Sequence, residues 1–275
     1  MSIQKSLPVN DGKKLFGPGN SIPYSVYQQK QEPSSSDTRS DGRDMDSHRK
    51  IFLSTGVISK AKGSAYIEQG RTKVIVGVFG PKEVQRRSEF SVSGSLSTEF
   101  KFAPFSCENR RGVNKDDREE EELGLVISEA LSSTVCLNKY PKSVIEVGVT
   151  VIEDDGGVVA AALTAAGLAL ADAGIHMYDL VLGVKVAVSG NDDDDVRVTV
   201  DPDREEERRR TGELTLGYLP NLEQVVCLMS EGVMSTSMVS RGLATATHTA
   251  NLVMPAVQEQ LVNKLKQKRS KENQK

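Results

Sequence analysis

Residues 154–174, DDGGVVAAALTAAGLALADAG, constrain the fold more than any other stretch of the chain. From Val158 onward the segment is apolar almost all round, so a helix here has no face to offer water and must be buried. Its side chains are small, which lets its backbone lie close against a sheet, and Gly174 supplies the left-handed position that ends it. The expected helix is 158–173. The paired glycines in front of it pose a chemical question. A helix N-terminus offers free N–H groups and the positive end of its dipole, a favourable seat for an anion. Yet the first turn brings only Val158, Val159 and Ala160, none of which holds an anion by its side chain. A Gly-Gly turn is also an ordinary tight connection.

The rest of the chain has to supply what covers that helix. From Arg49 short β-rich runs are separated by glycine and polar turns, with GRTKVIVGVFGP the richest in β-branched residues, an antiparallel β start. Leu96, Thr98, Phe100 and Phe102 then share one face of a half-buried strand. Residues 116–138 predict a helix: Asp116 with Glu119 resembles a capping box, acids crowd the first turn, and Leu123, Val126, Ile127, Ala130, Leu131 and Val135 form one stripe. A strand follows in which Ile145, Val147, Val149 and Val151 share a face. Further strands are expected at 179–189, 196–201, 213–219 and 222–230, with the NDDDD stretch at 191–195 a turn between two of them. A long helix, 236–266, closes the fold on Val239, Leu243, Ala246, Ala250, Val253, Val257 and Leu261, with a kink expected at Pro255.

This order is α+β: mixed or antiparallel sheets packed with a buried alanine-rich helix, an acidic-start helix and a long C-terminal helix. No internal repeat and no second core emerges, so one domain is expected at 49–266. A disordered extension rich in Gln, Ser, Pro and Gly precedes it at 1–48, and a basic tail, 267–275, follows as a solvated, frayed helix end.

No run approaches about 18 apolar residues, and the N-terminus lacks the apolar heart of a secretion signal; an intracellular protein without a membrane span is expected. Cys107, Cys136 and Cys227 are far apart and without ligand spacing, which argues for reduced thiols rather than disulfides or zinc. His48, His176 and His248 have no partner at catalytic spacing and read as polar or packing residues. The net charge of −3 conceals acidic blocks at 119–122 and 192–195 beside basic clusters at Arg86-Arg87 and Arg110-Arg111. Local patches therefore decide contact with phosphates, and the absence of tryptophan speaks against base-stacking platforms.

SDGRD at Ser40, GSAYIEQGRTKVIVGVFGPKE from Gly63, the PF of APFS and ALADAGIHMYDLV from Ala169 stand in the order of a known family. Over about 41–261 the chain resembles the RNase PH family of phosphorolytic exoribonucleases, and in particular the ring subunits of the eukaryotic exosome. The resemblance implies the fold and also marks three departures. Active relatives carry Gly-Thr/Ser-Arg-Thr where this chain has Gly157-Val158-Val159-Ala160, so the arginine that grips the attacking phosphate is replaced by Val159. That forfeits a bidentate, charge-assisted contact. Two aspartates that hold magnesium in active relatives correspond here to Glu207 and Glu213, each one methylene longer. Magnesium tolerates little departure from octahedral geometry, and by themselves these residues read as part of a solvated, self-paired loop. A second phosphate clamp corresponds within a residue or two to Arg118, which Glu119 and the acids after it surround and weaken. The expectation is a pocket beneath the glycines without the cation that seats phosphate. No catalytic residue, metal or cofactor is then expected, with Val159, Glu207 and Glu213 as degenerate positions.

On that footing the resemblance implies a non-catalytic subunit of a heteromeric ring of RNase PH-like subunits that join their sheets. RNA-binding cap subunits would sit above the ring, single-stranded RNA would pass through it, and a separate nuclease would do the chemistry. A nuclear, nucleolar and cytoplasmic distribution and roles in ribosomal RNA processing and RNA turnover go with it. Lys82, Arg86, Arg87, Arg110, Arg111 and Arg118 are the candidate RNA contacts, the bland alternative being solubility. Two rivals stay open: a phosphorolytic exonuclease using Glu207 and Glu213 with magnesium and Arg118, and a scaffold whose basic loops never meet RNA.

Overall fold

Alternating β-branched residues build a five-stranded sheet whose inner face is almost entirely valine, isoleucine and alanine. Its strands are β1 (Ile51–Thr55), β2 (Gly63–Gln69), β3 (Thr72–Glu83), β4 (Ser95–Phe102) and β5 (Ser143–Glu153), in the spatial order β1-β2-β3-β5-β4. The structure, a computed structural model, describes residues 39, 41–83, 92–108, 110–111, 117–190 and 196–272. The expected antiparallel start holds for β1, β2 and β3, but β4 lies parallel to β5. The reason is the connection. Helix α1 (Arg118–Thr134) carries the chain from one end of β4 back to the start of β5, as a parallel pair requires.

Helix α1 is shorter than the expected 116–138. It ends at Thr134, and a 3₁₀ turn at Leu137–Lys139 follows. Asp117 caps it, its side chain accepting from Glu119 N, while Asp116 lies outside the described residues. Helix α2 (Val158–Asp172) matches the expected buried helix, with Leu163, Leu168 and Leu170 all in the core. A Cβ at Gly63 would stand 2.3 Å from Ala169 O, and one at Gly183 only 2.1 Å from Ala160 O, so α2 touches a strand backbone on each side.

The second of those strands belongs to a four-stranded antiparallel sheet, β6 (Leu182–Ser189), β7 (Arg197–Val200), β8 (Gly212–Leu219) and β9 (Gln224–Gly232), ordered β7-β6-β8-β9. A short helix, α3 (Arg204–Arg209), was not expected from the sequence; Asp203 and Glu206 form a reciprocal capping box at its start. Helix α4 (Thr236–Glu272) packs Ala246, Ala250, Val253 and Val257 inward against β6 and β8. It continues through Pro255 as one element and extends into the expected tail region. The layers are thus sheet, helices α1 and α2, sheet, and helix α4, which is the α+β class.

The expected extension 1–48 lies largely outside the described residues. Where it is described it packs on the fold: Met45 O accepts from Val200 N at 2.9 Å, and Arg39 is buried. The Arg39 guanidinium donates to Val200 O (2.9 Å), to Asp201 O (3.0 Å) and to both Glu206 carboxylate oxygens (2.8 and 2.7 Å). The 191–195 turn lies outside the described residues. All three cysteines are free thiols, and among the described residues no helix is long and apolar enough to cross a membrane.

Candidate functional site

The turn between β5 and α2 needs two glycines. Gly156 and Gly157 have φ of +89° and +70°, where a side chain is strained, and a Cβ on Gly156 would meet Pro202 O at 2.9 Å. Behind the turn Arg49 grips it. Its guanidinium donates to Asp155 O at 2.9 Å and to Gly156 O at 3.0 Å, and forks onto Asp201 at 2.8 and 2.6 Å. Thr72 Oγ1 donates to Gly156 O at 2.7 Å, and Gln69 Nε2 to Asp201 Oδ1 at 2.7 Å. Asp201 is fully buried. Burial pushes its carboxyl up, but the Arg49 hydrogen bonds, the His48 ring and the Arg49 charge outweigh this and hold it below the ordinary value. His48 packs into this polar cluster, its Nδ1 3.4 Å from Asp201 Oδ2.

In front of the turn opens a cleft of about 310 Å³, reached by side chains of α1, β6, α3, β8 and β9. The Gly157 N–H, the first free donor of α2, points at Glu207 Oε1 at 3.0 Å. The anion seat at this helix end is therefore filled by a carboxylate of the chain itself. Lys185 Nζ stands 2.6 Å from Glu207 Oε1 and 2.9 Å from Glu213 Oε2, the latter an ion contact without hydrogen-bond alignment. Arg210 closes on Glu213 Oε1 at 2.7 Å. Burial raises the Glu213 carboxyl above its ordinary value, more than Lys185 and Arg210 lower it.

Arg204 pairs with Asp154 on the cleft wall, and Arg111 pairs with Glu119 at 3.0 Å while its guanidinium lies 3.9 Å over the Phe102 ring. At the mouth Arg208 meets Glu108 at 2.6 Å.

Two sequence expectations change here. Glu207 and Glu213 do not belong to a solvated loop: one lies within the capped helix α3, the other lies buried in β8, and both line the cleft. Nor is the cleft short of cations. Arg111, Lys185, Arg204, Arg208 and Arg210 all line it, and each is paired with a carboxylate. What it lacks is an uncommitted cation facing the helix end, where Val159 presents an apolar wall.

The structure gathers Val159, Glu207, Glu213 and Arg111 at the cleft and leaves others away from it. Arg118 and Arg110 are exposed and outside its lining. Lys82 is exposed on β3, paired with Glu146 and 5.6 Å over the Phe79 ring. Arg86 and Arg87 lie outside the described residues. Lys185, Arg49, Asp201, Arg204 and Arg210 were missed by sequence reasoning. Lys185 alone carried a signal, as the one charge in the apolar strand LGVKVAVS, where an ion has to be paired to be buried.

The magnesium that the family resemblance implies does not fit these residues. Glu207 Oε1 and both Glu213 oxygens already face Lys185, Arg210 or the Gly157 N–H, and among the described residues no group of three or more His, Cys, Asp or Glu could hold a metal.

Comparison with known proteins agrees with this architecture. The description "3′ exoribonuclease family, domain 1" (RNase PH) matches residues 47–176, and "domain 2" of the same family matches 179–248. The exosome complex component Rrp41 of Pyrobaculum aerophilum is 37% identical over 227 residues, which is 82% of this chain and 90% of that protein. The exosome complex component MTR3 of Mus musculus is 36% identical over 234 residues, 81% of this chain and 83% of that one. Among solved structures, rice Rrp46 superposes with a TM-score of 0.66 at 25% identity, covering 80% of this chain and all (100%) of that one.

Proposed function

The chain belongs to the RNase PH family of 3′ exoribonucleases, and from that premise we propose that it is a non-catalytic subunit of the RNase PH-like ring of an RNA exosome. In this role it joins related subunits in a heteromeric ring and takes part in 3′–5′ RNA processing and turnover, ribosomal RNA included. It helps pass single-stranded RNA toward a nuclease on another polypeptide, under RNA-binding cap subunits, in nucleus, nucleolus and cytoplasm.

The observation that carries this role is the Gly157 N–H bonded to Glu207 Oε1 at 3.0 Å. An attacking phosphate needs that helix end and an arginine beside it. Here a carboxylate stands in the first and Val159 in place of the second, and like charge keeps a phosphate away from Glu207. The similarity to exosome components named MTR3 and Rrp41 supports membership of such a complex. Lys82, Arg110, Arg111 and Arg118, with Arg86 and Arg87, are the proposed RNA contacts. The paired state of Lys82 and Arg111 restricts them to phosphate contacts made at the expense of Glu146 and Glu119.

Incubating the purified protein with a poly(A) oligonucleotide, inorganic phosphate and magnesium tests the role directly. No nucleoside diphosphate is expected, and its release would overturn the non-catalytic assignment. Crosslinking of RNA to the assembled ring is expected to give adducts at residues 82–87 or 110–111; their absence would leave a scaffold without a guiding part. A phosphorolytic enzyme is the second reading, for which the cleft keeps the carboxylates of Glu207 and Glu213; it requires Lys185 to give way to magnesium between them.

A further inference from the structure

Glu207 and Glu213 come from different elements, α3 and β8, yet their carboxylates meet one ammonium group. Lys185 Nζ lies 2.6 Å from Glu207 Oε1 and 2.9 Å from Glu213 Oε2. We infer that Lys185 is the resident counter-ion of this carboxylate pair, standing where a bridging divalent cation would stand, so that the cleft of this chain is closed to divalent metals. The inference deepens the proposed non-catalytic role and rests on the same view of the cleft as filled from within.

Three features of the surroundings support it. The first is commitment by the backbone. Val184 and Val186 are fully buried on one face of β6, so Lys185 between them projects from the other, the face on which Gly183 meets α2. The ammonium is thus delivered by a central strand, packed between β7 and β8, rather than by a loop free to swing away.

Second, the three side chains are largely withdrawn from water, with relative exposures of 13% for Lys185, 15% for Glu207 and 8% for Glu213. Two carboxylates in such a place need a counter-charge, and Lys185 supplies it without dehydrating a metal ion.

Third, a metal would have to enter beside cations already present. Arg210 lies 2.7 Å from Glu213 Oε1, so its charge repels a second cation brought to that carboxylate, and a divalent ion more than a monovalent one. The ammonium also leaves Glu207 Oε1 on the Gly157 N–H, so one lysine ties β6, α3, β8 and the N-terminus of α2 together.

The probe is Mn²⁺ with the purified full chain, in the absence of RNA and phosphate, read by the loss of the free-ion paramagnetic signal. The wild-type protein is expected to leave that signal unchanged. Lys185→Ala is expected to take up about one Mn²⁺ per chain, as an open pair of carboxylates attracts a hard cation, and to gain thermal stability when Mn²⁺ is added. Adding Glu213→Gln to that variant should abolish the uptake, which places the ion on the carboxylate pair.

Wild-type uptake that Glu213→Gln removes would overturn the inference, as would a folded Lys185→Ala protein that ignores Mn²⁺. Where Lys185→Ala does not fold, the wild-type titration decides alone. Because no turnover is read, failure here is distinct from nucleoside diphosphate release, which would instead overturn the non-catalytic role.

Discussion

Helices α1 and α2 both begin at the same cleft and satisfy their N-termini in different ways. Helix α1 uses what stands next to it in sequence: Asp117 accepts from Glu119 N, and Glu119, Glu120 and Glu121 fill its first turn. Helix α2 has a bare glycine as its cap and no acid in its first turn, and takes its carboxylate from Glu207, 50 residues further along the chain. A local cap stabilises a helix whatever the rest of the fold does. A remote cap exists only when the fold is complete, and here it also excludes a ligand. A helix end that attracts anions thus does not imply a ligand until the chain's own carboxylates have been accounted for.

The remote arrangement depends on what holds the turn from behind, and the largest expected effect lies there. Arg49→Met strands the fully buried Asp201 carboxylate and releases the carbonyls of Asp155 and Gly156. Breaking such a pair from one side costs about 3–5 kcal/mol, which for a domain of this size is a fall of roughly 6–20 °C in Tm. A loss below that of a helix cap, measured by urea unfolding, would show that the turn does not need its clamp.

The same pair sets an acid limit. Asp201 is held below its ordinary value in the folded state, so the unfolded chain binds its proton first as pH falls. Its stabilisation is complete above about pH 4, the ordinary carboxylate range, and is lost as the pH drops through the lower folded value. Urea midpoints followed downward from neutral pH should fall in this window, and Asp201→Asn should flatten that fall. Glu213, whose carboxyl is raised by burial, contributes with the opposite sign, favouring the folded state below its unfolded value and ceasing to do so as pH rises through the folded one.

Emptying the seat itself comes next. Glu207→Ala leaves the Gly157 N–H and Lys185 without their shared partner, at a cost of about 1–3 kcal/mol for a buried donor left unpaired. It also exposes a vacant helix N-terminus beside an unbalanced ammonium. Tens of millimolar phosphate should therefore raise the Tm of this variant and leave the wild type unchanged. Equal responses would mean that Glu207 does not stand in the anion's place.

The local half of this design is legible in the sequence and the remote half is not. The apolarity of 158–173 dictated burial of α2, and the valines of β5 and the stripe of α1 were equally plain, since periodicity is a property of neighbours in the chain. Helix α3 was hidden in VDPDREEERRRTGEL because its charges look like those of a solvated loop. Only the fold shows that Glu206 turns to Arg39 and Glu207 to Gly157. Val159, Glu207 and Glu213 were legible through the family resemblance. Arg49, Asp201 and Lys185 were not: even at Lys185, where a lone charge in an apolar strand announces burial, the sequence does not name the partner. The parallel placement of β4 was hidden for a related reason: strand alternation fixes which face is buried, and not the direction of the neighbour.

The smallest expected effect belongs to the local cap, and it completes the contrast. Asp117 is partly exposed and accepts from Glu119 N at 3.3 Å, so Asp117→Ala should cost about 0.5–1 kcal/mol. Unlike Glu207→Ala, it should not make stability sensitive to phosphate, because Glu119, Glu120 and Glu121 still repel anions from that end of α1. Its cost should shrink with added salt, since screening reaches an exposed helix end and penetrates poorly to the half-buried Glu207 and Lys185. Parallel unfolding series for Asp117→Ala and Glu207→Ala in chloride and in phosphate measure this. If the two variants responded alike to both anions, the local and remote caps would be energetically equivalent, and the 50-residue reach of Glu207 would be incidental to the closure of the cleft.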